Sequence, residues 1–152
     1  MQTRRELMSR SAQVAALMAT AGLLPQAALA NWSKEAFDAK TLADAVKGLG
    51  GGAPALSKDV TITGPDIAEN GAVVPMGVST TLAGAKHLLL MVEKNPNALV
   101  AMFNVSDTVD TNFSTRAKMG QSSDVYAVAV MNDGKAFFAK KEIKVTLGGC
   151  GG

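Results

Sequence analysis

"KHLLLMVEKNPNALVAMFNVS", residues 86–106, holds two apolar runs on either side of Asn95-Pro96-Asn97. Both runs read as strands, and Asn-Pro-Asn between them reads as a tight connection. The same alternation of strand and turn spreads outward in both directions. Upstream, "KDVTITG" (58–64) places Val60 and Ile62 in alternation with polar residues, and "GAVVPMGVSTT" (71–81) is a further strand. Pro75 in that strand marks an edge or a bulge, because it has no amide to give to a ladder. Downstream come "NFSTRAKM" (112–119) and "SSDVYAVAVM" (122–131), separated by Gly120-Gln121. Asn132-Asp133-Gly134 then turns the chain into "KAFFAKKEIKVTL" (135–147), read as one bent strand or two. About seven strands at short intervals predict an all-β fold, an immunoglobulin-like antiparallel β-sandwich over residues 54–147.

One helix precedes the strands. In residues 31–53, Ser33 is a good N-cap and Glu35 suits the first turn. Phe37, Leu42, Ala45, Val46 and Leu49 recur at helical spacing. Gly48 and the run Gly50-Gly51-Gly52 end the helix, and Pro54 prevents its return. Trp32 is expected to pack at the helix entry.

The first 30 residues have a different character. Arg4, Arg5 and Arg10 precede a short apolar run, which Pro25 interrupts before the small-residue ending Ala28-Leu29-Ala30. That is the layout of a cleaved signal peptide, too short and too alanine-rich for a membrane anchor. Paired Arg4 and Arg5 ahead of Leu7 and Met8, with a weak apolar core, point to the twin-arginine route and a periplasmic destination. Removing three arginines and one glutamate leaves twelve residues of each sign, so the basic balance belongs to the signal. The remaining chain has no basic surface to recruit nucleic acid or an anionic membrane.

Chemistry-bearing motifs are few. His87 is the single histidine, and a lone strand-end histidine is ordinarily structural rather than a metal ligand. There is no phosphate loop, no dinucleotide fingerprint and no serine-nucleophile motif, so neither a metal nor a cofactor is expected. The remaining feature is Cys150, the only cysteine, inside "GGCGG" (148–152). Gly148, Gly149, Gly151 and Gly152 give it nothing to pack against and wide backbone freedom. From Leu147 a three-residue arm reaches about 10 Å. No helix start or cation lies beside the thiol, and a terminal carboxylate disfavours its thiolate, so it is accessible without being activated. A Cys-His pair with His87 has no geometry that the sequence fixes. An odd cysteine in an exported chain also fits intermolecular pairing. Two functions therefore stand side by side. One is a carrier that holds a substrate on Cys150; the other is a structural or adhesion module that uses Cys150 for a disulfide-linked dimer.

The ending "GGCGG" on an exported bacterial domain resembles the SoxY family, the sulfur-carrier subunits of the sulfur-oxidising (Sox) multienzyme system. "GPDIAENGAVVPM" (64–76), "TRAKMGQSSDVYAV" (115–128) and "KEIKVTLGGCGG" (141–152) agree with it, as does the twin-arginine signal. The family often carries a proline-and-basic pairing near Asp124 and Tyr126, which this chain lacks. The resemblance implies a non-enzymatic carrier on whose Cys150 thiosulfate-derived sulfur is covalently held. It also implies a heterodimer with a second small β protein, SoxZ. A c-type cytochrome, a sulfate-releasing hydrolase and a sulfur dehydrogenase would act on the loaded arm. Residues Val125 to Met131 fit either that partner's interface or ordinary core.

Overall fold

The computed structural model describes residues 33–147, together with the isolated positions Met8 and Arg10. The chain divides into two compact units, Met1–Trp32 and Ser33–Gly152, and the description below concerns the second. The signal segment, Trp32 and the whole of Gly148, Gly149, Cys150, Gly151 and Gly152 lie outside the described residues.

Nine strands follow two short helices in the described region: α1 (Lys34–Asp38), α2 (Leu42–Gly48), β1 (Pro54–Leu56), β2 (Val60–Thr63), β3 (Ile67–Asn70), β4 (Val74–Thr80), β5 (Ala85–Val92), β6 (Leu99–Asn104), β7 (Asn112–Ala117), β8 (Ser123–Met131) and β9 (Ala136–Leu147). One sheet runs β1-β9-β8-β5-β6, with β3 added to β9; the other runs β2-β4-β7. The two form an immunoglobulin-type sandwich.

The apolar run in β5 has a direct explanation. β5 lies between β8 and β6 and is covered on both faces. Leu88, Leu90 and Val92 enter the core shared with the three-stranded sheet, while Leu89 and Met91 pack beneath the helices. All five are at most 1% exposed, so from Leu88 to Val92 no position has water to face and the polar half of the alternation vanishes. β8 is treated the same way: Val125, Ala127 and Ala129 face the inter-sheet core, and Val128 and Val130 face the helices. The stretch Val125 to Met131 is therefore core at these five positions, and only Tyr126 and Met131 keep partial exposure.

Two expectations need correction. The helical segment is not one helix. Ala39 is extended (φ −63°, ψ 139°), and Thr41 caps a second helix by accepting the Asp44 amide. The two helices then pack closely. Ser33 Oγ donates to the Gly48 carbonyl at 2.9 Å, and a Cβ on Gly48 would meet the Ala36 amide nitrogen at 2.8 Å. The sandwich is also not antiparallel throughout, because β1 and β3 both run parallel to β9. Neither short strand was marked by the sequence, since "PAL" and "IAEN" are too short and too exposed to alternate.

Other expectations hold. Pro75 sits on the middle strand of the small sheet, opposite Arg116, but beyond the β2–β4 ladder, which spans Gly77 to Thr80. β4 is locally an edge there, so the missing amide costs nothing on that side. "KAFFAKKEIKVTL" forms one long strand. Its hairpin with β8 turns at Gly134, whose φ of 83° favours glycine.

Candidate functional site at the root of the C-terminal arm

β9 is the element that delivers the chain towards Cys150. β8 pairs with it from Ala136 to Ile143, where the ladder stops at Ser123. Ile143 is fully buried and anchors the strand in the core. Residues 144–147 continue beyond β8, and what holds them comes from the stretches that carry the family resemblance.

"GPDIAENGAVVPM" supplies β3, which pairs in parallel with the overhang from Ile67 opposite Lys144 to Asn70 opposite Leu147. The Lys144 amide donates to the Asp66 carbonyl at 3.0 Å, and Thr146 Oγ1 donates to the Glu69 carbonyl at 3.0 Å. The Gly71 amide caps the strand by donating to the Leu147 carbonyl at 2.8 Å. "TRAKMGQSSDVYAV" closes the circuit. The Met119 amide donates to the Gly71 carbonyl at 2.7 Å, and the Val145 amide donates to Ser122 Oγ at 2.9 Å. The sequence pattern alone gives no role to Ser122, Asn70 or Gly71. Their only signal was that they lie in the stretches that resemble the family.

Charge around the root is local and solvated. Lys141 pairs with Asp66 at 2.9 Å and also donates to the Gly64 carbonyl. The hydrogen bond from Lys141, then its charge, hold the Asp66 carboxyl below the ordinary carboxylate range. Asp66 is highly exposed, so this pair adds little to stability. Lys140 pairs with Asp124 at 2.9 Å on the neighbouring strands.

His87 is placed far from the root. Its Nδ1 lies 2.9 Å from Asn104 Oδ1 across the β5–β6 ladder. Burial is the main influence lowering its pKa; the Asn104 hydrogen bond opposes this and the Lys86 charge adds to it. Through β8 it stands level with Ala136, eleven residues before Leu147 on β9. At about 3.3 Å per residue that is roughly 36 Å of strand, several times the reach of a three-residue arm. The described residues contain no cluster of three or more His, Cys, Asp or Glu that could hold a metal ion. A depression of about 380 Å³ lies under the α1–α2 connection, lined by Lys40, Met91, Glu93, Ala98, Tyr126 and Phe138 among others. Its lining has no histidine or cysteine. Burial, then Glu93 and Asp124, raise the Tyr126 pKa. Among the described residues no helix is long and apolar enough to cross a membrane.

Comparisons with known proteins bear on the family of the chain. A family model described as "Sulfur oxidation protein SoxY" matches residues 46–150. The solved structure of the sulfur carrier protein SoxY from Chlorobium limicola f thiosulfatophilum is 33% identical, with a TM-score of 0.57 over 62% of this chain and 84% of that one. A variant of the superoxide reductase (neelaredoxin) from Ignicoccus hospitalis is 20% identical, with a TM-score of 0.50 over 57% and 78%, a likeness of fold alone. No curated protein sequence matches.

Proposed function

Because this chain belongs to the sulfur oxidation protein SoxY family, we propose that it is a sulfur carrier that holds thiosulfate-derived sulfur covalently on Cys150. The position of that thiol carries the reading. The single cysteine of the sequence lies three residues past Leu147, where β9 is held on both edges. The sequence then puts a glycine-flanked thiol three residues beyond Leu147, within a reach of about 10 Å.

The chemistry follows from the sulfur. The Cys150 thiolate and the outer sulfur of thiosulfate join in a new S–S bond, and two electrons pass to a c-type cytochrome. Water then cleaves the bond between the outer sulfur atoms. Sulfate leaves with the oxygen of water, and a persulfide stays on Cys150. A sulfur dehydrogenase passes the electrons of that remaining sulfane sulfur to its own acceptor while water supplies oxygen, and hydrolysis of the resulting sulfonate releases a second sulfate and restores the Cys150 thiol. The only histidine lies out of reach on this chain, so the base or metal for each step belongs to the enzyme that receives the arm. Gly148, Gly149, Gly151 and Gly152 allow the arm to enter a narrow channel. SoxZ pairs with the sandwich, and export to the periplasm by the twin-arginine route leaves a chain beginning at Asn31.

Reconstitution with the family's purified partners tests the proposal. Cys150→Ser abolishes thiosulfate-dependent turnover while leaving the fold and SoxZ binding intact. Retained turnover by the serine variant removes the proposal.

A further inference from the structure

The overhang of β9 is closed on its two edges by different means. On one edge β3 provides a strand. On the other β8 has already ended its ladder at Ser123, and a side chain takes the place of the missing strand. The Ser122 hydroxyl accepts the amide of half-buried Val145 at 2.9 Å.

Ser122 is itself firmly seated. The adjoining Ser123 is 2% exposed, accepts the Lys94 amide at 3.1 Å and donates to the Asp124 carbonyl at 2.9 Å. Met119, at the start of the same loop, is fully buried, and Asn95 Nδ2 donates to the Lys118 carbonyl at 2.7 Å. Through Met119 and Gly71 the loop is also bonded to the Leu147 carbonyl. A serine facing solvent on a free loop would need none of these supports.

We propose that Ser122 is a positioning residue: its hydroxyl, with the Asn70–Gly71 turn, holds the last four residues of β9 and so sets the length of chain between the rigid body and Cys150. Its meaning for turnover rests on the carrier reading above. Held at Leu147, the sulfur is three residues out, about 10 Å at full extension; released at Ile143 it is seven residues out, roughly 24 Å. For a flexible arm the effective concentration at a docked enzyme falls as about the −3/2 power of its length, so lengthening the arm from three residues to seven lowers it roughly four-fold. The family stretches that converge here act as a ruler for the arm.

Ser122→Ala and Ser122→Thr in the full exported chain test this, with Gly71→Pro as a second way to open the clamp. In Ser122→Ala the Val145 amide exchanges with solvent at least three-fold faster by NMR. A nitroxide attached to Cys150 gives sharper lines, and the KM of the receiving enzyme for the carrier rises several-fold with kcat preserved. Threonine keeps the hydroxyl and restores all three. Unchanged exchange and nitroxide lines in both the Ala and Pro variants overturn the proposal. Faster exchange with an unchanged KM overturns the length-setting role. Neither exchange nor nitroxide mobility depends on sulfur chemistry, so failure of the carrier reading appears separately, as absence of sulfur uptake by the unaltered protein.

Discussion

Ile143→Ala should weaken the domain far more than any change at Leu147, four residues later. Ile143 is fully buried, and its Cδ1 lies against Gly64, where an added Cβ would sit 3.2 Å away. Truncation removes three carbons, worth about 2.4 kcal/mol at roughly 0.8 kcal/mol each. Gly64 has no side chain to fill the space, so a cavity cost adds to this, for a total of about 3–4 kcal/mol. With a urea slope of about 2 kcal/mol/M, the unfolding midpoint falls by roughly 1.5–2 M. Leu147 is 70% exposed, and Leu147→Ala should move the midpoint by less than about 0.25 M. Urea titrations followed by circular dichroism on both variants make the comparison. A shift below about 0.5 M for Ile143→Ala would refute the claim that β9 is rooted in the core at that residue.

Two further outcomes follow from the same structure and one from the sequence of the arm. His87 is held below its ordinary pKa chiefly by burial. Its contribution to stability is therefore full above the unfolded value of about 6.5 and is lost as pH falls from there through the lower folded value. His87→Gln should flatten the stability profile below about pH 6.5, as followed by urea midpoints. Gly134→Ala, at φ 83°, should cost about 1–2 kcal/mol and lower the melting temperature by several degrees; Gly134→Asn should recover most of the loss, and an unchanged Tm for the alanine variant would contradict the turn geometry. Gly149→Trp should leave the melting temperature unchanged and impair every enzyme that receives the arm. Full activity of that variant would argue against a narrow channel.

How much of this was legible in the sequence depends on how each element is covered. β5 and β8 were legible because strands buried on both faces need unbroken apolar runs, and "LLLMV" and "VYAVAV" are such runs. β1 and β3 were not, since three or four exposed residues joining a strand in parallel carry no period of their own. The helix break was hidden because Leu42, Ala45, Val46 and Leu49 carry a spacing of three and four, and Phe37, five residues before Leu42, was read into the same face. Only the local competition of Thr41 for the Asp44 amide reveals the second start. Cys150 stood out by its uniqueness and its glycine neighbours. The clamp at its root did not, because Ser122 and Gly71 are ordinary loop residues until β9 is seen to outrun β8. Sequence pattern marks what is buried in bulk; it does not mark a single hydroxyl that replaces a strand.

The intact mass of the exported protein, after incubation with thiosulfate and its oxidising cytochrome partner, tests the carrier role most directly. The chain should begin at Asn31 and gain the mass of a thiosulfate-derived group. Fragmentation should place that group on Cys150, and Cys150→Ser should gain nothing. An unchanged mass, or a disulfide-linked dimer through Cys150 as the sole product, would contradict the account.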